Sequence, residues 1–155
     1  MRTQSDTAIG NLGTAIGIGL LAGIIGTAAI TLSQMIEMKI DGREPSDSPV
    51  KAVGKVFEVR LAHKESKQTL AQQIHWGYGT TWGIARGLIS LTGLKGIPAA
   101  LVHFAAVWGT ELVMLTSLKV ALPLTEEKPG QIAIDALHHA VYAAATGLAF
   151  DAMVK

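Results

Sequence analysis

Four ionisable side chains lie well inside apolar segments of this sequence, and their types suit metal or proton chemistry. They are His75, Glu111, Asp135 and His139. Imidazole and carboxylate groups together are ligands for Zn, Mn, Fe or Ni, and they also relay protons near neutral pH. Because ionisable groups are costly in an apolar surrounding, each needs a partner, water or a function. The sequence therefore predicts a shared metal or proton site at these residues.

Counting along the apolar segments places these groups at one depth. At about 1.5 Å of helical rise per residue from the presumed cytoplasmic ends of their segments, His75, Glu111 and the His138–His139 pair fall roughly 12 to 15 Å deep. These ends are taken at Lys67, Lys119 and Pro129. Neighbouring residues of a helix point about 100° apart, so His138 and His139 face different ways. We expect His139 to face the site, with Asp135 one turn earlier orienting its ring.

Three interpretations of this cluster stay open at the level of sequence. The groups hydrogen-bond one another and hold the helices together, or they bind a metal ion or carry protons, or they ligate a cofactor. The cofactor would be a b-type haem held between His75 and His139, which lie at matching depth on different segments. Only eight aromatic residues are present to line a haem pocket, which weakens the haem interpretation.

The elements that must position these residues are four apolar segments. The chain has 155 residues, of which 49% are hydrophobic and 16% are charged. A helix that is apolar all round is buried in protein or in lipid, and a chain of this length has too little core to bury several of them. We predict an all-α integral membrane protein, a compact bundle of four transmembrane helices over about 9–38, 70–94, 97–122 and 132–154.

One loop holds almost half of the charge. Twelve of the twenty-five charged residues lie between Lys39 and Lys67. Within this loop, Ser48 followed by Pro49 is typical of a helix start. The short amphipathic helix that follows suits either the membrane surface or packing against the protein's own helices. Its apolar face consists of Val50, Val53, Phe57 and Leu61.

Basic residues set the predicted orientation. Nine lie on one side of the four-span arrangement, in the long loop and around the loop at 119–131, whereas Arg2, Lys95 and Lys155 lie on the other side. Loops rich in Lys and Arg face the cytoplasm. We therefore predict a cytoplasmic long loop with the N-terminus and the C-terminus both outside.

Glycines four residues apart indicate where the helices meet. Such small residues let helix backbones approach closely in lipid. His75 lies on the same helical row as the second group of glycines, so it should point at a neighbouring helix rather than at lipid. The predicted packing glycines are Gly13, Gly17, Gly19, Gly23, Gly79, Gly83 and Gly87.

A second polar level, nearer the outer end, contains Arg86 and His103. Long arginine side chains near helix ends reach out to the interface, and this is the favoured interpretation of Arg86. The alternative is that Arg86 faces inward and pairs with Asp151. Trp76, Trp82 and Trp108 lie partly at interface depth, and we assign them no ligand role.

Several classes of function are excluded or disfavoured. A net charge of +1 gives no basic face for nucleic acid, and the absence of cysteine removes disulfides and thiolate chemistry. Neither a phosphate-binding loop ending in Lys-Ser/Thr nor a nucleophile elbow occurs, so a soluble-type enzyme is disfavoured. Two hypotheses remain: a membrane protein that binds or moves protons or a metal ion, and a non-catalytic subunit of a homo-oligomer or larger membrane complex.

The first third of the chain resembles a known family. Its pattern is Gly19-Leu-Leu-Ala-Gly23-Ile-Ile-Gly26-Thr27, then Met35 and Glu37, then Arg43-Glu-Pro45-Ser with Ser48-Pro49. This pattern is similar to the opening of YagU-like small bacterial inner-membrane proteins of unknown function. The resemblance implies a location in the bacterial inner membrane and no particular activity.

Overall fold

The structure, a computed structural model, describes residues 4–42, 46, 48–57 and 64–155, and in these residues it is all-helical. The predicted all-α class is therefore confirmed. The described helices are α1 (Gln4–Asp41), α2 (Ser48–Phe57), α3 (Lys64–Leu91), α4 (Gly96–Ser117) and α5 (Pro129–Met153).

A row of small residues brings the backbones of α1 and α3 together. A Cβ atom on Gly83 would overlap the Gly19 carbonyl oxygen and would lie only 2.7 Å from the Gly23 Cα. One turn further along α3, a Cβ on Gly87 would overlap the carbonyl oxygen of Ala15. Glycine alone permits this approach, and the rising numbers on α3 meet falling numbers on α1, so the two helices are antiparallel.

The four long helices form a ring in which α1 contacts α3 and α5, and α4 contacts the same two helices. On the α1–α5 side, a Cβ on Gly26 would lie 2.9 Å from the Tyr142 ring. On the α3–α4 side, His103 bonds the Trp82 carbonyl oxygen at 3.0 Å. Neighbours in the ring are antiparallel, which is the up-down-up-down arrangement of a four-helix bundle.

Gly13 and Gly17 do not lie at a helix contact among the residues that the structure describes. A Cβ on either glycine would meet nothing within 4 Å. Gly17 lies two residues before Gly19, which is about 200° around the helix, and it therefore faces away from α3. The four-residue spacing of the glycines does not distinguish the face of α1 that packs on α3 from the face that points away from it.

Two helices among the described residues are long and apolar enough to cross a membrane. They are Thr7–Asp41 and Gly96–Ser117, with mean hydropathies of 2.1 and 1.5 in their most apolar windows. The sequence predicted four spans, and the other two long helices are less apolar because they carry many polar groups. These groups are Gln72, Gln73, His75 and Arg86 on α3, and Asp135, His138, His139 and Asp151 on α5.

The helix α4 ends at Ser117, before the predicted end at Leu122. The chain turns because Lys119 takes a left-handed conformation, with φ of 53°. The Lys55 ammonium of α2 donates hydrogen bonds to the carbonyl oxygens of Leu118 and Lys119 at 2.5 and 2.7 Å. The backbone N–H groups of Lys119 and Val120 donate to the carbonyl oxygens of Thr116 and Leu115, so the helix end is satisfied without Pro123.

The amphipathic helix α2 packs against the protein itself. It contacts α3, and Val50 and Ala52 are buried. Of the two alternatives for this helix, packing on the protein's own helices is therefore the one observed. Leu61 and the side chain of Phe57, predicted on the same face, lie outside the described part of the chain.

Candidate metal site between two helices

Three of the predicted site residues meet where α4 and α5 pack. His139 Nε2 contacts Glu111 Oε2, and Asp135 Oδ1 lies 3.6 Å from His139 Nδ1. One possible ligand atom from each residue lies within 4.8 Å of the others. We call Glu111, Asp135 and His139 the α4–α5 cluster.

The His139 ring is held by the backbone one turn earlier. Its Nδ1 donates a hydrogen bond to the Asp135 carbonyl oxygen at 2.9 Å. Histidines that bind metals usually donate their other ring N–H in this way, which fixes the tautomer and the orientation of the ring. The Nε2 atom is then the one directed at Glu111, where it can share a proton or bind an ion.

The Asp135 carboxylate is held by a residue that the sequence analysis left without a role. Trp108 Nε1 donates to Asp135 Oδ2 at 2.7 Å, and the Trp108 ring stacks on Phe104 with centroids 5.4 Å apart. This bond leaves Oδ1 as the atom that faces His139. The sequence did contain a signal for this role of Trp108, because Trp108 lies three residues before Glu111 and therefore shares its face of α4.

His75 lies beside the cluster and bonds α1. Its Nε2 is 3.2 Å from Thr31 Oγ1, and Thr31 donates its own hydroxyl proton to the Thr27 carbonyl oxygen at 2.7 Å. Thr31 must therefore accept from His75 Nε2–H, which leaves Nδ1 as the lone-pair nitrogen of the ring. The row of α3 that carries the packing glycines thus also directs His75 at α1, as its spacing predicts.

His138 faces a different helix from His139. Its Nδ1 lies 2.8 Å from Ser33 Oγ, and its Nε2 lies 3.9 Å from Glu37 Oε2, both on α1. Glu37 is well buried for a carboxylate and is not among the site residues that the sequence predicts. The two adjacent histidines therefore pair with carboxylates on opposite sides of α5.

A cavity of about 1400 Å³ opens beside the cluster, bounded by all five helices. Glu111, Asp135 and His139 line it together with His75 and His138. Much of the remaining wall is apolar and includes Ile30, Val53, Ile74, Leu112 and Leu115. The cluster therefore borders an open cavity and is not sealed in the packed core.

The donor set fits a bare ion better than a haem. Two carboxylate oxygens and one imidazole nitrogen suit Zn, Mn, Fe or Ni. A haem between His75 and His139 would need one ring nitrogen of each as an axial ligand. Both nitrogens of His139 already have partners, the Asp135 carbonyl oxygen and Glu111, so haem ligation would break one of these contacts.

The second polar level contains an ion pair that we call the outer pair, Arg86 with Asp151. Arg86 is fully buried, its Nη2 contacts Asp151 Oδ1, and its guanidinium carbon lies 4.6 Å from the centroid of the Phe150 ring. The favoured interpretation, that Arg86 reaches out to the interface, is wrong. Its side chain points inward because α5 offers both a carboxylate and an aromatic face there.

His103 lies between the two levels. Its Nε2–H donates to the Trp82 carbonyl oxygen, and its ring centroid is 5.6 Å from that of Tyr142. The Tyr142 hydroxyl in turn donates to the Gly79 carbonyl oxygen at 2.6 Å. His103 therefore joins α3, α4 and α5 at the middle of the bundle and does not belong to the α4–α5 cluster.

The chain has no significant match to a protein-family model, to a curated protein or to a solved structure.

Proposed function

We propose that this protein is a multi-pass membrane protein that binds one divalent transition-metal ion at the α4–α5 cluster. The observation that carries the proposal is the convergence of Glu111, Asp135 and His139, whose ligand atoms lie within 4.8 Å of one another. Hydrogen bonds to other atoms of His139 and Asp135 hold both side chains in orientations that suit ligation.

The charge of the cluster supports a cation as its ligand. Two carboxylates beside one imidazole repel each other unless a proton or a metal ion lies between them. Three protein ligands leave at least one coordination position for another group, as in open zinc sites. The adjoining cavity provides the room for that group.

The surfaces of the helices support a bilayer as the surrounding. Ile97 and Val113 of α4 are 76% and 69% exposed, and Leu148 of α5 is 74% exposed. Leaving such side chains in water costs about 25 cal/mol for each Å² of apolar surface. Several polar groups of α3 and α5 instead face the bundle interior, where Arg86 and His139 are buried. We therefore propose that all four long helices span the membrane.

We base the proposed location of the protein and its orientation in the membrane on its sequence. We propose the bacterial inner membrane, which the resemblance to YagU-like proteins implies. The excess of Lys and Arg in the long loop supports a cytoplasmic position for α2 and an outside position for both termini.

Elemental analysis of the purified protein tests the metal. The full chain is extracted in mild detergent and assayed for Mn, Fe, Ni and Zn, alongside Glu111→Gln. The control is Glu126→Gln, which changes an exposed glutamate outside the cavity. We expect about one ion per chain in the wild type and the control, and a loss of at least tenfold in Glu111→Gln. Equal metal content in all three proteins, or none in any, would contradict the proposal.

Proton binding is the second candidate for the same residues. The contact between His139 Nε2 and Glu111 Oε2 supports it, because a carboxylate and an imidazole in contact share a proton readily. A metal-free wild type that conducts protons in liposomes, with conduction lost in Glu111→Gln, would favour this candidate over the metal.

An accessory or self-associating role is supported by the outward face of α1. Gly13 and Gly17 have nothing within 4 Å of a built Cβ, so another helix could approach there closely. We expect Gly17→Leu to release a partner or a second copy that co-purifies with the wild type. A wild type that elutes alone as a monomer would argue against this role.

A further inference from the structure

The cavity beside the α4–α5 cluster is larger than a metal ion requires. Its volume is about 1400 Å³, whereas sites for drug-sized organic ligands span about 300–1,000 Å³. An ion with its water ligands would fill only a small part of this space. The remaining volume is sufficient for an organic ligand.

The walls of the cavity contain both apolar and ionisable side chains. Apolar side chains from several helices form much of the surface, among them Ile30 of α1, Ile74 of α3 and Leu112 of α4. Most of the ionisable groups that line the cavity belong to the α4–α5 cluster or are His75 and His138, and Lys67 and Glu127 line it as well. A molecule with a long apolar body and one polar end matches a lining of this composition.

The charges of the cluster limit the polar end. Glu111 and Asp135 present carboxylate oxygens, which accept hydrogen bonds and repel another anion. A hydroxyl group donates a proton to such an oxygen, and its own oxygen can also ligate a metal. A hydroxyl head is therefore compatible with the cluster whether a metal is bound or not, and a carboxylate head is not compatible with the metal-free cluster.

The helix α2 forms one side of the cavity and therefore influences how a ligand enters it. Its residues Pro49, Val53 and Val56 line the space, and Lys55 ties α2 to the end of α4. Met35 and Met38 at the end of α1 line the same region. Flexible methionine side chains adapt to apolar ligands of varied shape, so this region suits the passage of a chain from the membrane interface.

From these observations we infer that the cavity binds one long-chain amphiphile with a neutral hydroxyl head. The tail lies along the apolar wall that includes Leu112 and Leu115, and the hydroxyl reaches the carboxylates of Glu111 and Asp135. This inference goes beyond the metal site and does not depend on it, because the hydroxyl pairs with the carboxylates directly.

Energy transfer from tryptophan measures this binding, because Trp82 lines the cavity. The full chain is placed in lipid nanodiscs and titrated with a pyrene-labelled long-chain alcohol. A pyrene-labelled fatty acid of the same length serves as the control ligand. In metal-free protein, we expect saturable transfer with the alcohol and at least tenfold weaker binding of the acid. Equal transfer from both ligands, or transfer that never saturates, would overturn the inference.

Cavity-filling variants locate the ligand. Leu112→Phe and Leu115→Phe add bulk to the wall at neighbouring turns of α4, so either one alone can test the site. Leu101→Phe is the matched control on the same helix, at a position 61% exposed and outside the cavity. We expect each cavity variant that elutes as the wild type does to bind the alcohol at least tenfold more weakly, with no change in the control. Unchanged binding in a folded cavity variant would place the ligand elsewhere and overturn the inference.

The proposal of a metal site and the inference of an amphiphile site can be rejected independently of each other. Titration of protein treated with a chelator, its metal content checked by elemental analysis, reports on the amphiphile alone. Alcohol binding in a chain that never holds metal would retain this inference and reject the metal. Stoichiometric metal without saturable alcohol binding would do the reverse.

Discussion

The α4–α5 cluster and the outer pair both place charged groups inside the same bundle, but they differ in how these charges are balanced. Arg86 and Asp151 neutralise each other, with the Phe150 ring against the guanidinium. Glu111, Asp135 and His139 bring two acids to one base and border a cavity of about 1400 Å³. Asp135 and Asp151 lie on the same helix, about 24 Å apart along its axis.

This difference separates a structural role from a binding role. A buried ion pair with matched charges holds helices in register. A cluster with excess negative charge at the edge of a cavity is incomplete without a cation or protons. Burial of charge alone therefore does not identify a site, whereas the balance of charge and the neighbouring space do.

The largest effect should come from breaking the contact on which both regions depend. Gly83→Leu would drive a side chain into the Gly19 carbonyl and the Gly23 backbone, neither of which can move alone. We expect loss of the folded bundle, measured as loss of the monodisperse peak in size-exclusion chromatography. Gly77→Leu on the same helix is the control, because a Cβ there meets nothing within 4 Å, and it should elute as the wild type does. A well-folded Gly83→Leu would contradict the observed α1–α3 contact.

A smaller effect, confined to one region, should follow from Asp151→Ala. It leaves the Arg86 charge buried without its carboxylate, and we expect the free energy of unfolding to fall by about 3 kcal/mol. Denaturant unfolding in detergent measures this fall. The double variant Arg86→Met with Asp151→Leu should recover most of it, since a buried pair can be replaced by apolar groups at little cost. If Asp151→Ala lost metal binding while its stability stayed unchanged, the outer pair would have a binding role, which would contradict the structural role assigned to it.

The smallest effect should come from Trp108→Phe, which removes the hydrogen bond to Asp135 Oδ2 and keeps the aromatic stack on Phe104. We expect metal affinity to fall about tenfold with little change in stability, as for other residues that orient metal ligands. Competition with a metal-sensitive dye measures the affinity. Trp76→Phe, at an exposed position of α3, is the matched control. An equal change in both variants would argue that Trp108 acts only through packing.

The sequence predicted the helices and the meeting of Glu111 with His139, because both follow from regular helical geometry. Apolar length indicates a helix, and residues at matching depth on antiparallel helices meet when their faces agree. Spacing also indicated that His75 shares a face with the packing glycines of α3. Each of these predictions depends on the geometry of a single helix or on residues that lie at the same depth in neighbouring helices.

The missed features depend on how helices rotate against each other. The rotation of α5 decides that Arg86 points inward at Asp151, and that His138 meets Glu37 of α1 while His139 meets Glu111. The cavity is likewise a property of five helices together, so no single segment predicts it. The helix α4 ends at a left-handed turn at Lys119, whose carbonyl group accepts a hydrogen bond from Lys55, a residue distant in the chain.

X-ray absorption spectroscopy of the zinc-loaded protein tests the central claim most directly. If zinc binds at the α4–α5 cluster, the spectrum will show one imidazole nitrogen and two carboxylate oxygens as protein ligands, at about 2.0–2.2 Å, with at least one further light atom. His139→Ala should remove the imidazole signal. A zinc ion surrounded only by oxygen atoms, with the same spectrum in His139→Ala, would contradict the assignment of the cluster as the metal site.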